Sequence, residues 1–247
     1  KASLQELLGV KDLTGMRFLD IGSGSGLFSL AAIELNAKEV YSFDYDQNSV
    51  DCAKSLRAKY EVPETRWRIE RGSVLDADYI QQLPMSDVVY SWGVLHHTGA
   101  MWKALELAAT RVMSGGILAI AIYNDQGWQS KLWTAVKRYY NRGVLFQIPL
   151  IIFFQLLFGA IGLVADLAVY RRSPLIRYRN YESSARGMNR FTDLLDWLGG
   201  YPFEVAKPEE IFHFYQKRGF ELTNLRTVGG GHACNEFVFT RVANIVD

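Results

Sequence analysis

Three glycines at alternate positions follow a short apolar run near the start of the sequence. Residues 18–26 read FLDIGSGSG, with Gly22, Gly24 and Gly26 after the apolar residues and an apolar helical pattern from position 27. Glycine allows positive φ and lets the bare main chain approach a ligand, while the first turn of a helix presents unpaired N–H groups. We therefore predict a ligand-binding turn here. A tight strand-to-helix turn without a ligand is the alternative.

The spacing of the glycines discriminates between cofactors. A dinucleotide-binding turn needs Gly-x-Gly-x-x-Gly or Ala, whereas the corresponding position here is Leu27. Asp20, two residues before the first glycine, would repel a pyrophosphate but suits a ligand with an ammonium group. The pattern resembles Asp-x-Gly-x-Gly-x-Gly, the first motif of the class I S-adenosylmethionine-dependent methyltransferases. That resemblance implies S-adenosyl-L-methionine as the cofactor and S-adenosyl-L-homocysteine as its product.

Acidic residues also follow the second predicted strand, 40–43. Asp44 ends this strand and can accept hydrogen bonds from both hydroxyls of a ribose, and Tyr45 follows it as a second candidate cofactor contact. Asp46 is the rival ribose ligand, although a side chain that caps the helix beginning near Ser49 suits it better.

The segment after the third strand resembles the part of the methyltransferase family that contacts adenine. Here the resemblance implies that Ser73 or Asp76 bonds the exocyclic amine, while Val74 and Leu75 pack on the ring. The backbone of this segment is the safer candidate contact. Asp76 by itself is better interpreted as the N-cap of the next helix.

Residues 92–98, WGVLHHT, follow the fourth strand. They resemble the corresponding motif of small-molecule methyltransferases of the quinone-biosynthesis type, in which a Leu-His-His stretch lies near the methyl group. The resemblance implies a cofactor contact for Trp92 and a substrate contact for His96. Four such segments, in the family's order and spacing, cover residues 14–123.

Methyl transfer from a sulfonium requires aligned reactants, and a base helps when the acceptor is a hydroxyl of high pKa. His97 is the preferred base and His232, in the last turn, is the second candidate; a packing or surface role is the alternative for each. Tyr123 and Asn124, after the fifth strand, are candidates to orient the acceptor, or else to cap the next helix. Arg190 and Trp197 lie in a stretch, 186–203, that either contributes to the acceptor-binding pocket or links the insertion back to the sheet.

Elements that could position these residues alternate along the chain. Strand patterns at 18–21, 40–43, 66–70, 87–91 and 117–122 are separated by helical patterns, including 49–60, 77–82 and 100–112. A helix at 208–217 and strands at 221–228 and 235–241 follow. We predict an α/β, doubly wound, Rossmann-like fold whose seven-stranded, mostly parallel sheet ends in an antiparallel hairpin. The predicted organisation is a cofactor-binding core at 1–125, a helical insertion after the fifth strand at 126–207, and the last helix and hairpin at 208–247.

The insertion is both apolar and basic. Residues 144–165 carry no charge, whereas ten lysines or arginines and two acids lie between Lys131 and Arg190. The apolar run is long enough to cross a bilayer, but one crossing would separate strands that belong to a single sheet. The run therefore either turns back on itself near Gly159 or Gly162 or covers the active site. Its basic flanks suit a helix that lies on an anionic membrane surface, and the alternative is a buried lid or a dimer helix.

Composition narrows the remaining possibilities. The net charge is +1, and 49% of residues are hydrophobic, which excludes general disorder. Cys52 and Cys234 form no visible disulfide framework or zinc site, so we expect no metal and a cytoplasmic protein, with peripheral membrane contact through 144–165 as a candidate.

The expected reaction is O-methylation of a small lipophilic or amphipathic molecule. Alternatives are methylation of protein or RNA, the latter disfavoured by the apolar run, and a non-catalytic cofactor-binding module that recruits partners through its apolar helix.

Overall fold

The computed structural model describes residues 1–171, 173, 176, 189–229 and 233–242. Within them the chain forms two compact units, one of Lys1–Gln126 with Glu204–Asp247 and the other of Gly127–Phe203. The first unit contains the strands and most of the candidate cofactor residues. Its elements are α1 (Ala2–Leu8), β1 (Arg17–Ile21), α2 (Leu27–Glu34), β2 (Glu39–Asp44), α3 (Gln47–Lys59), β3 (Trp67–Arg71), α4 (Ala77–Gln82), β4 (Ser86–Trp92), a 3-10 turn (Leu95–His97), α5 (Met101–Ala109), β5 (Val112–Tyr123), α9 (Pro208–Gln216), β6 (Phe220–Arg226) and β7 (Cys234–Arg241).

The strands form one seven-stranded sheet in the order β3-β2-β1-β4-β5-β7-β6. Strands β1 to β5 run parallel to one another, whereas β7 is antiparallel to both β5 and β6. This confirms the predicted α/β fold with its closing antiparallel pair. The strand order reverses between β1 and β4, and in such sheets ligands bind outside the carboxyl ends of the strands at that point.

Two apolar cores cover the two faces of the sheet. Phe18 belongs to the core formed with α1, α2 and α3, whereas Leu19 and Ile21 point into the core formed with α4, α5 and α9. A strand buried on both faces needs an apolar run, and β1 carries one from Phe18 to Ile21 that only Asp20 interrupts. Asp20 shares the face of Phe18, because alternate residues of a strand point the same way.

The sequence-based prediction places the junction between α5 and β5 wrongly and misses the helix α1. The pattern predicts a helix at 100–112 and a strand at 117–122, but α5 ends at Ala109 and β5 begins at Val112. Gly115 and Gly116 hide the start of this strand, since glycine is depleted in strands. Gly116 lies so close to Asp87 that an added Cβ would be 3.0 Å from its carbonyl oxygen. The N-terminal helix α1, which buries Leu4, was not predicted.

The second unit is helical. It contains α6 (Trp128–Tyr140), α7 (Val144–Val164), which continues as a π-helical turn at Ala165–Val169, and α8 (Arg190–Gly199). Its core joins Tyr140, Phe154, Leu194 and Leu198. By length and composition, Val144–Val169 could cross a membrane, and only 11% of its most apolar stretch is buried. Of the alternatives for this segment, a turn at Gly159 or Gly162 does not occur, because the helix continues through both.

Candidate functional site

The glycine turn between β1 and α2 has a shape that side chains would block. Gly22 has φ 73°, and a Cβ there would lie 2.3 Å from the Val94 Cγ1. A Cβ on Gly26, the N-cap of α2, would lie 2.9 Å from the ring of Trp67. These contacts explain two of the three glycines by packing, since a side chain at either position would overlap a neighbour. At Gly24 no atom lies within 4 Å of the Cβ position, so the turn has open space there.

Asp44 lies at the end of β2, next to the glycine turn. Its Oδ2 accepts a hydrogen bond from the Gly24 N–H at 2.8 Å, and its Oδ1 accepts one from the Asp46 N–H at 2.9 Å. The carboxylate is thereby held in a fixed orientation beside the turn. The rival Asp46 is the N-cap of α3, where its carboxylate accepts from the Ser49 N–H at 3.1 Å. Tyr45, the neighbouring candidate, is exposed, and the Arg71 guanidinium lies 5.7 Å from its ring centroid.

The predicted adenine segment lies beside Asp44. The Gly72 N–H donates to the Asp44 carbonyl at 3.0 Å, which brings the start of this segment to the end of β2. The Ser73 hydroxyl accepts from the Leu75 N–H at 3.2 Å, and Val74 is buried in the core. Asp76 caps α4 by accepting from the Tyr79 N–H, so its side chain has the structural role that the sequence favours. The backbone of residues 72–75 is therefore the better candidate contact.

Asp20 lies beneath the glycine turn and is 2% exposed. Its Oδ2 accepts a hydrogen bond from the Ser29 Oγ of α2 at 2.6 Å. Burial raises the pKa of Asp20 to about 7; the Ser29 hydrogen bond opposes this rise, and the charge of Asp44 adds to it. The Asp20 carboxyl is buried and already bonded to Ser29. A direct contact between it and a ligand ammonium group therefore stays a prediction.

Aromatic side chains gather at the carboxyl ends of β4 and β5. The ring centroid of His96 lies 4.5 Å from that of His97 and 4.1 Å from that of Tyr123, and His97 meets Tyr123 edge-on at 5.5 Å. His96 is completely buried, whereas His97 keeps partial exposure. Of the two, His97 is thus the side chain that an acceptor can reach. We call His96, His97 and Tyr123 the aromatic cluster.

Trp92 and Asn124 flank the aromatic cluster and are tied to β7. The Trp92 Nε1–H donates to the Glu236 Oε1 at 2.7 Å. The Asn235 Nδ2 donates to the Asn124 Oδ1 at 2.9 Å, and Asn235 is buried. Both candidates therefore have orientations fixed by the neighbouring antiparallel strand.

Glu204 supports the aromatic cluster and was not predicted from the sequence. Its N–H donates to the His96 carbonyl at 2.9 Å, and its carboxylate accepts from the Met101 N–H, at 3.0 Å to Oε2, at the start of α5. A carboxylate is favourable at a helix N-terminus. Sequence offers no signal for this contact, because more than a hundred positions separate Glu204 from His96 and Met101.

The remaining candidates lie in the second unit or outside the described residues. Arg190 and Trp197 lie on α8 of the second unit, where an Arg190 nitrogen donates to the Gln155 carbonyl at 3.3 Å and the Lys137 ammonium lies 4.0 Å from the Trp197 ring centroid. His232 lies outside the described residues. Among the residues that are described, no group of three or more His, Cys, Asp or Glu side chains is placed to hold a metal ion.

The residues at this edge fit a ribonucleoside. The Asp44 oxygens retain lone pairs beyond those that accept backbone N–H groups, and a ribose offers two hydroxyl donors. The open space at Gly24 admits a ligand against the main chain, and residues 72–75 add backbone polar groups and apolar surface beside Asp44. We conclude that the arrangement suits S-adenosylmethionine, with the aromatic cluster at the neighbouring strand ends.

Comparison with known proteins agrees with this geometry. A family model described as a methyltransferase domain matches residues 12–192. The ribosomal protein L11 methyltransferase of Shewanella sp. (strain ANA-3) is 30% identical over 116 residues, which cover 47% of this chain and 36% of that protein. The chain thus spans only about a third of the length of that curated relative.

Solved structures share the fold at low sequence identity. An O-methyltransferase family protein from Burkholderia thailandensis matches with a TM-score of 0.60 at 12% identity, covering 98% of this chain and 56% of that one. Magnesium protoporphyrin IX methyltransferase from Synechocystis PCC 6803, with bound SAH, matches with a TM-score of 0.57 at 13% identity, covering 97% and 80%. The family match and the sheet order together show that the chain belongs to the methyltransferase domain family, in the class I, S-adenosylmethionine-dependent group.

Proposed function

We propose that this chain transfers a methyl group from S-adenosylmethionine to an oxygen atom of a small lipophilic or amphipathic molecule. The observation that carries the proposal is the placement of Asp44 and the glycine turn at the same sheet edge as the aromatic cluster. When bound, the cofactor supplies an electrophilic methyl group on a positively charged sulfur. The protein then has to hold the reactants in line, which accounts for much of the rate of such a displacement.

Each candidate residue has a distinct role in this proposal. Asp44 accepts hydrogen bonds from the ribose hydroxyls, and the backbone of residues 72–75 contacts the adenine. A ring nitrogen of His97 accepts the proton of the acceptor hydroxyl, which makes the hydroxyl oxygen a stronger nucleophile. Tyr123 and Asn124 orient the acceptor beside His97. A histidine suits this task because its ordinary pKa is close to neutral.

The lipophilic character of the acceptor is inferred from the insertion. Its longest helix is apolar throughout and largely exposed. Exposed apolar surface favours ligands with an apolar portion, because burying such surface drives association. Arg190 and Trp197 remain proposed acceptor contacts within this insertion.

Cofactor binding tests the first part of the proposal. Calorimetry with S-adenosylmethionine and S-adenosylhomocysteine should give binding that Asp44→Ala weakens by at least about 10-fold, since a single hydrogen bond to a charged group contributes about 1.5–3 kcal/mol. Asp51→Ala is a matched control, because Asp51 is an exposed acid of the nearby α3. Equal affinities of the Asp44 variant and the wild type would contradict the assignment.

The base is tested by turnover. With an acceptor found by mass spectrometry of methylated lipid extracts, His97→Ala should lower kcat by about 10²- to 10⁴-fold and flatten the acidic limb of the pH profile. His213→Ala is the control, because His213 lies on α9 and bonds Gln216 there. If the two variants have the same kcat and both bind cofactor, His97 is not the base.

Methylation of a protein is a second candidate function. It is favoured by the curated relatives, which are ribosomal protein L11 methyltransferases. Transfer of a labelled methyl group to ribosomal protein, with none to lipid extract, would select this function over the first; labelled RNA would select the nucleic-acid alternative. Binding of cofactor without release of S-adenosylhomocysteine in any extract would instead select the non-catalytic module.

A further inference from the structure

The long helix of the second unit has one covered side and one exposed side. On the covered side, Phe154 packs against Trp133 of α6 with ring centroids 5.2 Å apart, and Leu194 and Leu198 of α8 complete the same core. The side chains that the core leaves exposed recur on the opposite side of the helix with a spacing of three or four residues. We call these the outer stripe; its leucines and isoleucine are Leu145, Ile152, Leu156, Leu163 and Leu167.

The outer stripe is apolar and strongly exposed. Leu145 is 81% exposed, Leu156 69% and Leu167 57%. Exposed apolar residues scattered singly are ordinary, whereas a continuous stripe along more than six helical turns marks a surface that binds an apolar partner. Pro149 and Ala160 occupy the gaps in the same stripe and are also exposed, so no charge interrupts it.

A transmembrane orientation of this helix conflicts with its neighbours. The helices α6 and α8 pack along its covered side and carry Arg138 and Asp196, both of which are exposed. A bilayer-spanning helix would place such charges in hydrocarbon, at a cost of several kcal/mol each. The chain before and after the insertion also forms the neighbouring strands β5 and β7, which a single crossing would put on opposite sides of the membrane.

The same packing suits a helix that lies along a membrane surface. Interfacial helices are amphipathic, with one polar face and one apolar face. Here α7 itself has no polar face, so α6 and α8 supply the polar side while the outer stripe supplies the apolar one. Exposed arginines lie near both ends of the helix, Arg138 and Arg142 before it and Arg171 after it. Their charge complements anionic lipid headgroups.

We propose that the outer stripe of α7 docks the protein on the surface of an anionic lipid bilayer, with Arg138, Arg142 and Arg171 at the headgroups. This binding site is independent of the methyl-transfer proposal, because it requires neither the cofactor nor an acceptor. It extends that proposal by bringing the enzyme to the phase in which lipophilic molecules concentrate.

Flotation with phospholipid vesicles tests the docking surface. The wild type should float with vesicles of phosphatidylcholine and phosphatidylglycerol, and should do so less with phosphatidylcholine alone. The triple variant Leu145→Gln, Leu156→Gln, Leu163→Gln should reduce the vesicle-bound fraction at least tenfold. The matched control changes three exposed apolar residues of the first unit, Tyr60→Gln, Met85→Gln and Leu225→Gln, and should float like the wild type.

A second variant and a salt series separate the apolar and electrostatic contributions. The double variant Arg138→Gln, Arg142→Gln changes only exposed side chains and should lose the preference for anionic vesicles while keeping weak binding to neutral ones. High salt should likewise reduce binding without abolishing it, whereas a purely electrostatic association would collapse. Far-ultraviolet circular dichroism and cofactor binding establish that each variant is folded.

Three results would overturn the proposal. The first is flotation of the folded outer-stripe variant at the wild-type level. The second is a wild type that ignores vesicles but is a dimer that the outer-stripe variant converts to a monomer, which would assign the stripe to a second copy of the chain. The third is salt-sensitive retention of RNA without vesicle binding. None of these results affects the calorimetric test of Asp44, so failure of docking is distinguishable from failure of methyl transfer.

Discussion

Replacing Asp20 by asparagine should remove a pH-dependent loss of stability from this protein. Asp20 is buried beneath the glycine turn, and its Oδ2 accepts a hydrogen bond from the Ser29 hydroxyl at 2.6 Å. Asparagine has nearly the same shape, and its Oδ1 can accept the same hydrogen bond. The substitution therefore removes the ionisation of the side chain while it preserves the packing.

The size of this pH-dependent loss of stability follows from the pKa of Asp20. Burial raises the pKa of Asp20 from 3.8 to about 7, so between these values the folded chain keeps a proton that the unfolded chain has released. The free energy of unfolding consequently falls by about 1.4 kcal/mol for each pH unit in this window. The total loss is about 4 kcal/mol, complete above about pH 7. Below pH 4 both states are protonated and no dependence remains.

Urea unfolding at several pH values measures this effect. Relative to the wild type, Asp20→Asn should gain about 3 kcal/mol in the free energy of unfolding between about pH 5 and about pH 8. Asp51→Asn, on the exposed surface of α3, should follow the wild type throughout. Parallel pH profiles for Asp20→Asn and the wild type would refute the inference that a buried, ionisable carboxyl lies under the turn.

Three further predictions concern single residues. Gly22→Ala should cost about 2–4 kcal/mol in thermal unfolding experiments, because the added methyl meets a valine at 2.3 Å on a backbone of positive φ. Burial lowers the pKa of Lys137 to about 8, so unfolding free energy should rise by about 3 kcal/mol between about pH 8 and about pH 10.5, and Lys137→Met should abolish this rise in urea titrations. Glu204→Gln should cost about 0.5–2 kcal/mol of stability, again measured by denaturation, because α5 loses a charged acceptor at its N-terminus.

Much of the fold follows from local patterns in the sequence. The runs that form β1 and β2 are apolar and are followed by glycine or acidic residues, so their type and order are predictable. The start of β5 is not predictable, because Gly115 and Gly116 interrupt its strand pattern, and only the folded chain shows that Gly116 packs closely against β4. The continuity of α7 through Gly159 is a second example, since α6 and α8 stabilise the helix by packing that its own sequence does not reveal.

The candidate site likewise contains some residues that the sequence predicts and others that it does not. Asp44 is predictable because it ends a strand, and its neighbours along the chain form the contacts that orient it. Glu204 and Asn235 are not predictable, since they reach His96 and Asn124 only through the topology of the sheet. Side chains placed by the register of distant strands have no local signal, and only the folded chain brings them together.

The bridge between Asn124 and Ala206 has a consequence for how such enzymes diversify. These residues pair in parallel, and the Ala206 N–H donates to the Tyr123 carbonyl, so the chain leaves the sheet and re-enters it at one spot. Paired backbones lie about 5 Å apart, a gap that a two- or three-residue loop can bridge. We therefore expect that the segment from Gly127 to Phe203 can be replaced by another insertion without a change in the strand order of the sheet.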